Sequence, residues 1–529
     1  MRISSITCIL FLLLSTAFFS PLSAQVFKVK WGDNAKMKFD FDDAVPLSGG
    51  RYMILKMKEK RTMGFFGGGS VTYEPSVLLV SADMEQIDEK PVPIEEKNTV
   101  FKGFEKYGNN IFLLYTAYDK ESKTTSFYAL KIDEKLNLVS KSTLGKFESD
   151  NRGDQAKPNY RLSSDSSKVL LLVEGPERRK ESEQYYIGVF DTNLKTLWSR
   201  QVSLPIEQRY IDIYDMDVTN DGKVFVALKH YEKEIKRESV REDGTKVPSY
   251  VYKMLVYADA TSKEKELKFN LNNQFIHGTK IINAPDGSIT VAGLYKKKAN
   301  GNITGAFYAK VEKNSDEVKN PKMVELPIDL IKLVDKDNYA SAKDKDPGLY
   351  PNFLIRNILV RSNGSVDLIS EYYKLVIRTY TDSRGHTTTT YNYYYGDIVN
   401  TNIDKDGKAV FTRVPKNQKM TNADLFMGIY SFVMNDKLVI LFDDDEDNID
   451  RDLAKKPDDV MNFKKSVFAA ATIDAKGNLS RQAIYSHRDE TYVTVPRLTS
   501  RISNTQFLIV SDLLKLFKKR TRFGVLDYK

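Results

Sequence analysis

Short apolar runs that follow tight polar turns recur along the whole chain. In the clearest case Thr219-Asn220-Asp221-Gly222-Lys223 feeds Val224-Phe225-Val226-Ala227-Leu228. The Asp-Gly pair suits the positive φ of a hairpin, and the β-branched and aromatic residues behind it predict a buried strand. Seven further units begin at Ser48-Gly49-Gly50, Tyr107-Gly108-Asn109, Ser164-Asp165-Ser166, Pro285-Asp286-Gly287, Ser362-Asn363-Gly364, Asn435-Asp436 and Ser503-Asn504. The runs behind them, such as 111–115, 169–173 and 438–442, are apolar throughout instead of alternating. Strands of that kind are covered on both faces.

Each unit then shows a second hairpin. Tyr185-Tyr186-Ile187-Gly188-Val189-Phe190 runs into the turn Asp191-Thr192-Asn193-Leu194-Lys195 and returns as Thr196-Leu197-Trp198-Ser199-Arg200. With one more strand before each tight turn, such as Ile281-Ile282-Asn283, every unit holds four strands. Four-stranded antiparallel units in radial array are the blades of an all-β propeller, each buried against its neighbours. The count is eight, or seven if one unit is degenerate. The last unit ends three residues after its third strand, 520–526, so its fourth strand is expected to be Val26-Phe27-Lys28-Val29-Lys30-Trp31. Pairing of the first strand with the last blade would leave no open edge. The stretch from Asp191 to Trp198 is similar to the repeat of eight-bladed quinoprotein-like propellers, in which Asp, a polar turn and Trp recur. The other units lack the tryptophan, and no cysteine pair stands ready for a quinone, so the resemblance implies architecture and not redox chemistry.

In such a blade the second-to-third-strand loops share one face, opposite the short turns. Here they are long at 58–74, 232–249, 380–391 and 443–464, and the inter-blade segment 328–350 emerges beside them. Long loops on a rigid scaffold are where binding concentrates. The first carries Phe65 and Phe66 within Met63-Gly64-Phe65-Phe66-Gly67-Gly68-Gly69, a tip suited to a partner or a membrane surface, or to folding down over the channel. The third belongs to a strand-forming ribbon from Glu371 that turns at Asp382-Ser383-Arg384-Gly385-His386 and returns through Tyr391, Tyr393, Tyr394 and Tyr395. Tyr380, His386 and these tyrosines are the candidate partner-binding residues, because phenol rings offer a flat apolar face with a polar tip to glycans or peptides. Simple cross-strand packing is the competing reading. The fourth holds Asp443, Asp445 and Asp447 in the opening rhythm of a calcium loop. Asn448 stands where that loop needs glycine and Ala454 where it needs glutamate, which favours a solvated acidic loop. No other cofactor is indicated.

Composition narrows the function further. Residues 1–24 combine Arg2, an apolar run and Ser23-Ala24 before Gln25, the pattern of a secretory signal peptide, with 25–529 as one propeller domain. The single cysteine, Cys8, lies inside that leader, so the mature chain has no disulfide, thiol nucleophile or thiolate metal site. Export without cysteine fits a bacterial envelope, periplasmic or extracellular. The net charge of +9 is spread as single lysines with no dense basic tract, which disfavours nucleic acid. No Gly-x-Ser-x-Gly elbow or zinc-type histidine pair exists, and His230, His277, His386 and His487 are scattered. The sequence therefore points to a non-catalytic binding or assembly module whose partner is an envelope protein or glycan. The alternative is an enzyme acting on polysaccharide through carboxylates at the channel mouth.

Overall fold

The computed structural model describes residues 27–32, 40–63, 69–83, 85–151, 156–232, 238–313, 315, 317–318, 321–334, 346–488, 492–513 and 521–529. Eight antiparallel sheets of four or five strands follow one another along it. The first strands of sheets 1 to 7 are Asp40–Pro46, Thr99–Tyr107, Lys157–Leu162, Ile211–Val218, Phe275–Asn283, Phe353–Val360 and Tyr430–Met434. First strands of successive sheets touch in the pairs 1–2, 3–4, 4–5, 5–6 and 6–7, which puts them innermost in a radial array. The eighth sheet runs Tyr492–Thr494, Gln506–Leu513, Thr521–Tyr528 and then Phe27–Trp31 from the other end of the chain. Phe27 pairs with Tyr528 and Trp31 with Gly524, so the closing strand lies where the sequence places it.

Apolar clusters fill every junction from sheets 1 and 2 round to sheets 7 and 8. The ring closes through Ala44, Tyr52, Ile54, Leu78 and Val80 of sheet 1 against Leu508, Val510 and Phe523 of sheet 8. Second strands are buried along both faces, as at Val169–Glu174 and Lys437–Asp444. Their lack of alternation follows from having a packed sheet on either side.

The turns explain the repeated glycine and aspartate. Gly222 sits at φ +89°, and its N–H donates to the Thr219 carbonyl at 2.9 Å. In the third-to-fourth-strand turns Asp133, Asp191, Asp404 and Asp474 each accept from the backbone N–H groups two and four residues on. Such aspartates mimic a backbone turn.

Inner strands carry a second shared device. Register slips by one residue at Asp42, Lys102, Tyr214, His277 and Arg356, in sheets 1, 2, 4, 5 and 6. A bulge of this kind bends a strand and re-aims its side chain. Beyond the slip in sheet 4, Asp215 accepts from Ile281 N–H at 3.0 Å and Asp217 from Asn283 N–H at 2.5 Å. Two carboxylates thus satisfy the inward edge of the next sheet. Burial pushes Asp217 up to about 7.

Candidate functional site

Of the segments expected as long loops, those at 58–74 and 232–249 hold paired strands among the described residues, whereas 443–464 is irregular beyond Asp444. In sheet 1, Tyr52–Met63 and Gly69–Val80 pair along their full length, and the tip carrying Phe65 and Phe66 lies outside the described residues. Segment 232–249 contains a small hairpin, Ser239–Glu242 with Thr245–Pro248. The inter-blade segment begins as a short helix, Ile328–Val334, that buries Leu330 and Ile331.

Among the described residues sheet 6 has the longest strands, of 16 and 17 residues. Val366–Thr381 and Thr387–Ile403 stay paired from Val366 opposite Ile403 out to Thr381 opposite Thr387. Threonine favours this geometry through χ1 stiffness, and threonine and tyrosine alike through cross-strand contact, here with Thr379–Thr389 and Thr381–Thr387 hydroxyl pairs at 3.3 and 3.0 Å. At the tip Asp382 accepts from Arg384 and His386 N–H, both at 2.9 Å. The His386 ring points outward, its Nδ1 3.3 Å from Asp382.

Pairing divides the ribbon into two faces. Tyr373 and Tyr395, Leu375 and Tyr393, and Ile377 and Tyr391 lie opposite each other on one of them. Along that face exposure rises outward from Tyr395 at 5% through Leu375 at 37% to Ile377 at 56%, with Tyr391 at 41%. Tyr380, at 71%, stands on the other face with Tyr394. A short strand, Gln418–Thr421, pairs with the returning strand from Tyr395 to Asn392. From Lys374 to Thr381 the edge of the outgoing strand on the first-strand side has no partner strand among the described residues. The candidate tyrosines therefore separate by role. Tyr380 and Tyr391 are exposed and Tyr393 and Tyr394 half-buried, whereas Tyr395 is a packing residue that donates to Asp424 at 2.7 Å.

A buried charged cluster anchors the ribbon's base. Glu371 Oε1 lies 2.7 Å from Lys416 Nζ, both side chains fully buried, and Glu371 Oε2 accepts from Arg356 Nε at 2.7 Å. The re-aimed Arg356 guanidinium stacks 5.4 and 5.3 Å from the Tyr373 and Tyr395 ring centres. Burial lowers the Lys416 pKa while Glu371 opposes that shift. Beside it Tyr395, Phe426, Met427, Val460, Phe463, Val493 and Val495 make a small core out of connecting segments. The ribbon stands on a rigid footing.

The acidic stretch divides. Asp443 is fully buried, 3.9 Å from His487 Nε2, and its pKa is pushed well up by burial and then by Asp444. Asp445 and Asp447 remain near the surface and converge with Asp458, carboxylate oxygens lying within 4.8 Å of one another. Asp458 also pairs with Arg451, and Asp445 accepts the Asp447 N–H at 3.1 Å.

A second polar cluster carried no sequence motif. At the loop end of sheet 4, the Tyr231 hydroxyl lies 3.0 Å from both Asp212 Oδ2 and Glu238 Oε1. Lys229 Nζ reaches Glu238 at 3.2 Å and lies 4.1 Å from the Tyr250 ring centre. His277 is satisfied by the Phe353 carbonyl at 2.9 Å, and its pKa is lowered by burial. Only the length of segment 232–249 hinted at the cluster.

The fold defines a β-propeller. No family model matches the chain, and no curated protein matches it in sequence. Among solved structures it is similar to the β-propeller domain of the Trilobed protease from Pyrococcus furiosus, at 11% identity over 87% of this chain and 98% of that one, TM-score 0.35. It is also similar to a polysaccharide lyase, at 12% identity over 83% and 91%, TM-score 0.38. The WD40 domain of SCAP from fission yeast resembles it at 10% identity over 95% and 94%, TM-score 0.36. Likeness this distant says nothing about function, which has to be argued from the chain's own geometry. Among the described residues no helix is long and apolar enough to cross a membrane.

Proposed function

We propose that the protein is an exported, non-catalytic binding module of a bacterial envelope that holds a partner protein or glycan on the ribbon of sheet 6. The observation that carries this reading is the outward rise in exposure along Tyr395, Leu375, Tyr391 and Ile377, on strands whose base is locked by the Glu371–Lys416–Arg356 cluster. Exposed apolar side chains on a rigid projecting element mark an interaction surface, because their burial stabilises a complex at little ordering cost. The open edge from Lys374 to Thr381 adds unpaired backbone groups that an extended segment can engage. Ile377→Asp with Tyr391→Ser tests the reading, both positions being exposed. The double variant should melt as the parent does yet lose the partner cross-linked by the parent in its native envelope. Undiminished cross-linking, or loss only after Asp221→Ala on the opposite face, would assign the surface elsewhere.

The enzymatic reading draws on one observation. Asp212 and Glu238 meet on a single hydroxyl, each 3.0 Å from Tyr231, which can donate its proton to only one of them. Polysaccharide cleavage abolished by Glu238→Gln with the fold retained would establish that reading in place of the first.

A further inference from the structure

At the short-turn end of the junction between sheets 4 and 5 lies a cavity of about 400 Å³. This is within the ~300–1,000 Å³ of small-molecule sites. Phe225, Leu267, Ile289 and Val311 form its apolar floor, each buried in the junction's core cluster. Register shows why the gap exists. In sheet 3, Phe190 opposes Val169 at the strand end, and one residue back Val189 opposes Trp198. In sheet 4, Tyr257 opposes Val224, and one residue back Val256 opposes Lys265. Trp198 and Lys265 hold the same place in successive sheets. Trp198 packs into the junction of sheets 3 and 4 and donates Nε1–H to the Gly222 carbonyl at 3.1 Å. Lys265 lines the cavity at the next junction. The volume that an indole occupies in one junction is open in the other.

The rim of that space has a sign. Lys223, Lys263, Lys265 and Lys313 stand around it with Asp221 and Glu312. Asp221 is matched by Lys223 at 3.2 Å, and Lys310 bridges Glu312 at 3.3 Å and Asp286 at 3.1 Å; four lysines against two carboxylates leave the charge of the lining positive. Gly287, at φ +81°, lets the Lys313 stem lie close against the turn: a Cβ there would stand 3.0 Å from Lys313 Cδ. Apolar walls under a lysine rim are complementary to a molecule with an apolar body and one anionic head.

We propose that this cavity is a binding site for a small amphiphilic carboxylate, of which a medium-chain fatty acid is the simplest form. Its apolar body lies on Phe225, Leu267 and Ile289, and its carboxylate meets the lysine rim. The site is on the face opposite the ribbon and is independent of the ribbon's role. Calorimetric titration of the full chain with decanoate tests it, with decanol, decyltrimethylammonium and decyl phosphate as comparison ligands. Decanoate should bind saturably, one per chain, at least tenfold tighter than decanol, and the cationic amphiphile should not bind. Lys265→Trp should abolish binding without lowering the melting temperature. Lys263→Glu with Lys313→Glu, at exposed positions, should weaken binding tenfold or more. Absence of saturable binding, equal affinity for decanol, or binding that survives both sets of substitutions would overturn the proposal. Tighter binding of decyl phosphate than of decanoate would overturn the assignment of a carboxylate.

Discussion

Removing the closing strand, Phe27–Trp31, should loosen the whole ring. Phe27 is buried and packs edge-on against Tyr528, ring centres 5.0 Å apart. Truncating a buried phenylalanine costs about 3–5 kcal/mol. Trp31 stacks on the Arg522 guanidinium at 3.8 Å, worth about 0.5–2 kcal/mol when desolvated. Deleting the five residues also leaves the outer edge of Thr521–Tyr528 unpaired. The total is about 5 kcal/mol or more, comparable with the ~5–15 kcal/mol by which domains are stable. For 529 residues the unfolding entropy is about 1 kcal/mol per kelvin, so the melting temperature should fall by about 5 °C if the ring unfolds as one unit. Calorimetry measures that shift, and hydrogen exchange locates it. Amides of Thr521–Tyr528 and of Gln506–Leu513 should lose protection before those of sheets 3 to 5. A melting temperature within 1 °C of the parent, with unchanged exchange in the eighth sheet, would refute the closing role.

Two further predictions concern buried charge. Glu371→Leu leaves the fully buried Lys416 amine without its counter-charge, which should destabilise by about 3–5 kcal/mol in urea unfolding, and adding Lys416→Met should recover most of the loss. A single variant as stable as the parent would show that the ion pair is not what holds the ribbon's base. His487 is held neutral inside the protein, its pKa lowered by burial to about 4 from an ordinary 6.5. Because the unfolded chain takes up that proton first, the contribution of His487 is complete above pH 6.5 and is lost as pH falls towards 4, about 3 kcal/mol in all. Against a His487→Gln variant, the parent should therefore lose stability more steeply across that window; parallel pH profiles would refute the assignment.

Much of the fold was legible because each of its parts is local. A Gly at positive φ, an Asp that accepts its own turn's N–H groups and an uninterrupted apolar strand all leave marks within ten residues. Gly222, Asp191 and 169–173 carry those marks plainly. Even the closing strand could be read, since an unmatched third strand near Tyr528 calls for a partner and the chain offers one at Phe27. The insertions were legible unevenly. The ribbon turning at Asp382–His386 could be read from its Thr- and Tyr-rich arms, and pairing carries both strands out to Thr381 and Thr387, whereas the paired strands within 58–74 and the hairpin within 232–249 read only as length.

The sites were less legible because they arise between sheets. Asp443 and Asp445 look equivalent in an acidic run, but the strand ends at Asp444, so Asp443 lies fully buried within the packed sheet while Asp445, just past its end, stays near solvent. Asp212 and Glu238 are 26 positions apart and meet only because Tyr231 lies between the first strand and a folded-back hairpin. The cavity is the sharpest instance. Nothing in the residues around Lys265 announces a pocket, since lysine on an outer strand is ordinary surface chemistry. Its meaning comes from a comparison the sequence cannot make: Trp198, holding the same register position one sheet earlier, reaches across and fills the junction that Lys265 leaves open. In a repeat fold each sheet is thus a reference for the next. A site is found where equivalent positions differ in the volume and charge they present to a shared interface.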